Sequence, residues 1–166
     1  FDTILSKMDF GIFDVFRDRQ LTNSNTSTNK TRQAIRVLKS RNIADDGKII
    51  QIDGYDSYVE KNKLDKFAAS KFLNRDDVYL TPNMTYNPRL VKKESGYVVN
   101  GSVAILIPKI SKNLSSKQLK YISSSDFREF YKIARNYQTR TLNVDSVSCF
   151  WFGALREEYC DERGSS

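Results

Sequence analysis

Arginine, lysine, asparagine and glutamine recur together in four short segments of the chain. Arginine pairs with two atoms of a guanine edge and asparagine or glutamine with two atoms of an adenine edge, while lysine and arginine also bind phosphates. Any one of these side chains could instead bond its own backbone in a turn or lie on solvated surface. Four such segments in one basic chain nevertheless favour a nucleic-acid partner. They are 17–20 (RDRQ), 39–42 (KSRN), 82–89 (PNMTYNPR) and 135–143 (RNYQTRTLN).

The charge balance of the chain also favours a nucleic-acid partner. Among 166 residues, Lys and Arg (27) outnumber Asp and Glu (20), so the net charge is +7 at pH 7. Such a surplus favours a polyanionic partner, although it can also be an ordinary solvated surface. No apolar run reaches the ~20 residues that span a bilayer, and no signal-peptide pattern is present. We therefore expect no membrane partner and a cytoplasmic location. The two cysteines could form one bridge, but two reduced thiols are favoured in a cytosolic protein.

Several kinds of catalytic chemistry are excluded by composition and motif. Histidine is absent, which removes histidine bases, HNH-type nucleases and most zinc sites. The chain has no glycine-rich phosphate loop. It also lacks the Asn/Asp-Pro-Pro-Tyr/Phe tetrapeptide of amino-methyltransferases, since residues 87–89 read Asn-Pro-Arg. We expect neither catalysis, nor a metal, nor a cofactor in this chain.

One motif keeps a nuclease alternative open. Asp46-Gly47-Lys48 has the D-x-K ending of metal-dependent nucleases, in which carboxylates hold Mg²⁺ and a lysine polarises the scissile phosphate. Asp14 or Asp18 would have to supply the upstream acid. The competing interpretation, which we favour, is a hairpin turn, because Asp-Gly is the expected dipeptide there. A basic protein-interaction domain is the third alternative.

The elements that must position these residues read as one α+β domain with a curled mixed or antiparallel sheet. A polar loop is expected over 20–32, because Asn, Ser and Thr compete with the backbone for hydrogen bonds. Val103–Ile107 is apolar throughout, as in a strand buried on both faces. Ser115 with Gln118, and Asp126 with Glu129, have the spacing of capping boxes. Strands are predicted at 10–16, 48–52, 78–80, 97–108 and 147–152, and helices at 1–9, within 58–73, at 115–123 and at 126–137.

Three strings carry a resemblance to a known family. PNMTYNPR (82–89), NGSVAILIPK (100–109) and FREFYKIARNYQTRTLNVDS (127–146) resemble the C-terminal target-recognition (TaqI-like specificity) domain of type II adenine DNA methyltransferases. The order of polar loop, VLKSRNI (37–43), Asp-Gly hairpin, DVYL (77–80) and two helices is also similar to one recognition unit of a type I specificity subunit. The resemblance covers most of the chain, but its motifs are core and loop patterns rather than catalytic signatures.

The resemblance implies a bacterial restriction–modification protein whose partner is double-stranded DNA. It implies an N-terminal catalytic methyltransferase domain, located before Phe1, that binds S-adenosylmethionine and methylates adenine N6. Residues 1–160 would be the DNA target-recognition domain of this larger protein, and 161–166 a disordered or engineered tail. The residues expected to read bases are Arg41, Asn42, Asn83, Tyr86, Asn87 and Arg89. Those expected to contact the DNA backbone are Arg17, Arg19, Lys39, Lys92, Arg135 and Arg140.

Overall fold

A computed structural model describes residues 2–83, 88–109, 113–134 and 151–156. Within these ranges, no helix has both the length and the apolar character needed to cross a membrane. The helices are α1 (Asp2–Lys7), α2 (Lys61–Leu64), α3 (Ser116–Ile122) and α4 (Ser125–Ala134), with 3-10 turns at Ser40–Asn42 and Ala68–Phe72. The strands are β1 (Met8–Asp9), β2 (Phe13–Phe16), β3 (Ala34–Leu38), β4 (Ser57–Glu60), β5 (Tyr79–Pro82), β6 (Val91–Lys92), β7 (Tyr97–Val99), β8 (Val103–Pro108) and β9 (Ala154–Leu155).

The strands form three sheets, none of them closed. A four-stranded antiparallel sheet has the order β2-β8-β5-β6, a three-stranded sheet has the order β4-β3-β7, and β1 pairs with β9. In the three-stranded sheet, β3 is antiparallel to β4 and parallel to β7. Helices and mixed sheets in one domain confirm the predicted α+β class.

A single strand over 97–108 was predicted, and this was wrong. The chain instead turns at Asn100–Ser102, so that β7 joins the three-stranded sheet and β8 the four-stranded one. The turn forms because Asn100 Oδ1 accepts a hydrogen bond from the Ser102 backbone N–H at 2.9 Å, which competes with strand pairing. The hydrophobic pattern continues across the break because both strands are buried.

Strand β8 separates two parts of the core. Ala104 and Leu106 face a cluster that includes Tyr79, Phe127 and Phe130, beneath α3 and α4. Val103 and Ile105 face a second cluster, which lies between the two larger sheets. A strand with apolar neighbours on both faces must be apolar throughout, and the structure confirms this prediction for residues 103–106.

The two C-terminal helices begin differently from one another. At α3, Ser115 Oγ accepts from Gln118 N (3.2 Å) and Gln118 Oε1 accepts from Ser115 N (2.8 Å), which confirms the first capping box. The second box was wrong, because α4 already begins at Ser125. Ser124 Oγ accepts from the Phe127 N–H at 3.2 Å and therefore caps this helix.

Other elements differ from prediction where tertiary contacts override local pattern. The strand expected over 48–52 is reduced to one bridge between Ile43 and Ile49. The region 58–73 contains α2 and a 3-10 turn, but its first residues belong to β4, which pairs with β3. At the C-terminal end, strand β9 follows Gly153, whereas most of the strand predicted over 147–152 lies outside the described residues. Residues 135–150, including Cys149 and the end of the predicted helix, and Cys160 lie outside the described residues.

Lys93, directly after β6, is a fully buried cation (0% exposed). Its ammonium donates to the carbonyl oxygens of Glu94 (2.9 Å), Arg75 (3.1 Å) and Leu73 (3.4 Å). The ammonium also lies 4.7 Å from the centre of the Tyr97 ring. Burial lowers the pKa of Lys93 from 10.5 to about 8, against the opposing effect of the Asp76 charge. Lys93 therefore ties the loop before β5 to β6.

Candidate nucleic-acid interface

The turn at Asn100–Ser102 holds three distant segments together. Ser102 Oγ accepts from the Ser40 backbone N–H at 3.0 Å, and Asn100 N donates to Leu38 O at 3.1 Å. Asn83 N donates to Ser102 O at 2.8 Å. The turn thus joins the segment after β3 to the segment after β5.

A third segment, residues 17–20, packs against Gly101. A Cβ placed on Gly101 would lie 2.5 Å from the Asp18 carbonyl oxygen, so the two backbones pack closer than any side chain permits. The Asp18 carboxylate in turn accepts from the backbone N–H groups of Gln20 (3.1 Å) and Leu21 (2.7 Å). This turn leaves Arg19 and Gln20 exposed. We call 17–20, 39–41, Asn83 and the turn 100–102 the junction surface, because they meet where the two sheets join.

Tyr55 organises the cations of segment 39–41. The Lys39 ammonium lies 3.9 Å from the Tyr55 ring centre and donates to the Tyr55 carbonyl, while the Arg41 guanidinium lies 4.9 Å from the same ring. Burial lowers the pKa of Lys39, the Asp56 charge raises it and Arg41 lowers it. Lys39 is therefore engaged within the protein, whereas Arg41 is exposed and held in place by an aromatic ring.

The polar loop predicted over 20–32 is present and borders this cluster. A mutual pair of hydrogen bonds between Ser27 and Tyr58 (2.9 and 2.7 Å) attaches it to β4. A cavity of about 270 Å³ between the loop and Lys39 is lined by amide and hydroxyl groups, including those of Asn23 and Thr28. The loop thus extends the junction surface with donors and acceptors suited to base edges or phosphates.

Two buried polar atoms of segment 17–20 lack a hydrogen-bond partner within the described part of the chain. They are Arg17 Nε and Asp18 Oδ1. Leaving a buried donor or acceptor unsatisfied costs about 1–3 kcal/mol, and natural proteins contain few such groups.

Asn42 has a structural role that the sequence did not reveal. It is fully buried (0% exposed), its Oδ1 accepts from Lys39 N (2.9 Å), and its Nδ2 donates to Asp56 Oδ1 (2.7 Å) and Ile50 O (3.1 Å). All of these bonds lie within the protein, so this amide is not presented to a base edge. We therefore do not keep the assignment of Asn42 to base readout.

The consequence is testable with Asn42→Ala. Removing this amide leaves the Lys39 N–H and the Asp56 carboxylate with one partner fewer in a buried place, so we expect the free energy of unfolding to fall by about 1–3 kcal/mol. Urea denaturation measures this loss. Sequence preference among duplexes should stay as in the wild type, measured where the variant is fully folded. A changed base preference in a fully stable variant would restore the base-reading role.

Asn83 and Arg89 are likewise buried, at 3% and 8% exposed. Asn83 contributes its backbone to the junction, as described above. Arg89 Nε and Nη2 donate to the Ile43 carbonyl at 3.1 and 2.8 Å, and Nη1 lies 3.5 Å from Asp45 Oδ1. Arg89 therefore links the turn at 43–47 to the segment that directly precedes β6, and we assign both residues to the framework instead of base readout.

The remaining predicted residues are dispersed. Lys92 is exposed in β6, in a cleft distinct from the junction surface. The other four, Tyr86, Asn87, Arg135 and Arg140, lie outside the described residues. Of the twelve residues predicted from sequence, the junction surface brings together Arg17, Arg19, Lys39, Arg41 and Asn83.

Asp46 and Asp18 of the nuclease alternative both make contacts within their own turns. Within ranges 2–83, 88–109, 113–134 and 151–156, no group of three or more His, Cys, Asp or Glu side chains is placed to hold a metal ion. Asp46 is exposed in a turn where its Oδ1 accepts from Lys48 N (3.0 Å), and Gly47 has φ +84°. Asp18 is buried and caps its own loop. These contacts fit the hairpin-turn interpretation.

Sequence reasoning missed Tyr55 and the turn 100–102. Tyr55 follows the turn at Gly54 (φ +76°) and contacts two cations. Its position directly after the Asp53-Gly54 pair was the available signal, because Asp-Gly marks a turn. The turn could have been noticed from Asn100-Gly101, a common turn dipeptide.

Comparison of the chain with models of known protein families and with curated protein sequences finds no match.

Proposed function

We propose that this chain binds double-stranded DNA sequence-specifically, as the target-recognition domain of an adenine-N6 methyltransferase of a restriction–modification system. One observation carries the binding proposal: segments 17–20 and 39–41, far apart in sequence and rich in cations, meet around the turn 100–102. The methyltransferase context rests on the resemblance of strings 82–89, 100–109 and 127–146 to such domains.

The roles follow from exposure and anchoring. Arg41, exposed beside Tyr55, would enter the major groove and pair with guanine O6 and N7. Arg19 would contact phosphate, and the Asn, Ser and Thr side chains of the loop would bond base edges or phosphates near it. Lys39 would act mainly by positioning Tyr55 and by adding positive potential.

In the full-length enzyme the recognition domain would hold the duplex in register. The catalytic half would bind S-adenosylmethionine, receive the flipped adenine and perform methyl transfer. No residue of this chain is assigned to the cofactor. Such an enzyme acts on bacterial DNA, so its location would be the cytoplasm.

The test is selection from random duplexes at two salt concentrations, followed by affinity measurements with two single variants. We expect Arg41→Gln to lose about 1–3 kcal/mol of binding free energy at one base position and to relax preference there. We expect Arg19→Gln to weaken all sequences alike and to lower the slope of log K against log salt by about 1. The two variants separate base reading from phosphate contact.

The matched control is Lys66→Gln with Lys132→Gln, which removes exposed charges outside the junction surface. It should change duplex affinity less than either arginine variant. If the control and the arginine variants lose the same amount of duplex affinity, the effect depends on net charge alone. Absence of duplex binding at low salt, together with salt-insensitive capture of a protein, would favour the protein-interaction alternative instead.

A further inference from the structure

A second cationic surface lies apart from the junction surface. It is an open cleft of about 710 Å³ between the turn at 46–49, strand β6 with Tyr97, and helix α3. The floor is apolar, with Leu90 and Val91 buried. Three separate elements thus form one concave surface.

The cleft carries cations from each of its walls. Lys48, Lys92 and Lys120 are all exposed and line it, one from each of these elements. Lys48 lies 3.9 Å from Asp46 at the rim, but for Lys92 and Lys120 the described chain supplies no ion-pair partner. The fourth lining cation, Arg36, is engaged within the protein by Asp56 (3.6 Å) and by Ile50 O (2.8 Å).

Acidic groups balance this charge only in part. Asp46 and Glu94 are the acidic residues among those that line the cleft. Against them stand the three lysines, since Arg36 is paired with Asp56, so the cleft carries a surplus of one positive charge. A concave wall focuses the field of such charges and raises the local concentration of anions.

We propose that this cleft binds the phosphodiester backbone of DNA on the flank of the bases read by the junction surface. The inference rests on the proposed function. It extends the DNA-contacting surface beyond Lys92, the one cleft residue for which a DNA contact was predicted from sequence. It adds Lys48 and Lys120 as phosphate contacts to Lys92, which lies in the wall formed by β6.

Strand geometry gives the spacing between the two surfaces. Tyr79 pairs with Lys92, and Asn83 follows Tyr79 by four positions along the β5 direction. At about 3.3 Å per residue this separates Lys92 from the junction by roughly 13 Å. The distance corresponds to about four base pairs at 3.4 Å each. Three cations on three walls suit a run of phosphates better than a single small ligand.

The experiment compares two triple variants of the 166-residue chain on a random-sequence duplex of about 20 base pairs. The cleft triple is Lys48→Gln, Lys92→Gln and Lys120→Gln; the control triple is Lys66→Gln, Lys117→Gln and Lys132→Gln, which removes the same charge from residues that do not line the cleft. All six are exposed lysines, so folding should be preserved and is checked by thermal melting.

We expect the cleft triple to lower the salt slope by about 2.7, since each phosphate contact contributes about 0.9, and to weaken binding at least roughly tenfold. The control triple should change both quantities much less. A second arm uses a selected duplex in which flanking phosphates are replaced by neutral methylphosphonates. That replacement should weaken the wild type but leave the cleft triple nearly unaffected.

If the cleft triple and the control triple show the same duplex affinity and the same salt slope, the inference is wrong. The proposed role of the junction surface would be unaffected by that result. Arg19→Gln and Arg41→Gln variants that bind as tightly as wild type, together with a weakened cleft triple, would instead count against the proposed function alone. Competition by thymidine monophosphate as effective as that of the duplex, at equal phosphate concentration, would indicate a small-nucleotide site and also overturn the inference.

Discussion

Gly101→Ala should destabilise the chain by about 3 kcal/mol and weaken duplex binding at least roughly tenfold. The added methyl would lie 2.5 Å from the Asp18 carbonyl oxygen, a separation that atoms do not tolerate. The obstructing atom is backbone, so no side chain can rotate away to relieve the clash. Either the turn or segment 17–20 must shift.

The binding loss follows from that shift. Segment 17–20 carries Arg19, and the turn 100–102 bonds the backbone at Ser40 and Asn83. If segment 17–20 moves relative to the turn 100–102, its cations move away from those of segment 39–41. The proposed interface requires the two sets of cations to be adjacent. A loss of one charged contact, worth about 1.4 kcal/mol, already corresponds to a tenfold change in affinity.

Gly54→Ala is the matched control for stability, because it makes the same chemical change with no neighbouring atom within 4 Å of the new methyl. Its φ of +76° means a backbone cost of about 1–2 kcal/mol and no displacement of segment 17–20. Urea denaturation gives the stability of both variants, and duplex titration gives the affinity of Gly101→Ala. If Gly101→Ala is as stable and binds the duplex as tightly as wild type, neither stability nor binding requires the close contact between the turn 100–102 and segment 17–20.

Lys93→Met should change how stability depends on pH. In the folded chain the pKa of Lys93 is lowered to about 8 by burial, from 10.5. Between these values the unfolded chain binds more protons than the folded chain, so the free energy of unfolding rises with pH across this window. The cost of burying the charge is therefore present in full below pH 8 and disappears above pH 10.5.

Integration of this difference gives the expected size. From pH 7 to pH 9.5 the wild type should gain about 2 kcal/mol relative to Lys93→Met, which has no group to titrate there. At pH 7 the variant also leaves the carbonyl oxygens of Arg75 and Glu94 without their donor. Urea denaturation of both proteins at the two pH values measures the difference.

Lys92→Met is the control, since Lys92 is the exposed neighbour of Lys93. Its stability relative to wild type should stay constant over the same pH range. If the wild type and Lys93→Met differ by the same amount at both pH values, the Lys93 ammonium is not desolvated as its burial implies.

Local sequence patterns predicted those features that depend on near neighbours along the chain. The Ser115–Gln118 capping box involves groups three residues apart, and both reciprocal bonds are present. The apolar run in β8 and the Phe127 and Phe130 stripe of α4 lie in the core as expected. The polar loop and the α+β class follow from the same kind of pattern. These elements arise from backbone bonding and from the exclusion of apolar side chains from water.

Only the tertiary structure decided which of the polar residues face outward. Arg41 is exposed while its neighbour Asn42 is fully buried, and Lys92 is exposed while Lys93 is enclosed by three carbonyl groups. Composition and residue spacing predict the same exposure for both members of each pair. Their difference depends on atoms supplied from elsewhere in the chain, such as the Asp56 carboxylate or the Arg75 carbonyl, because a buried polar group persists only where partners meet it.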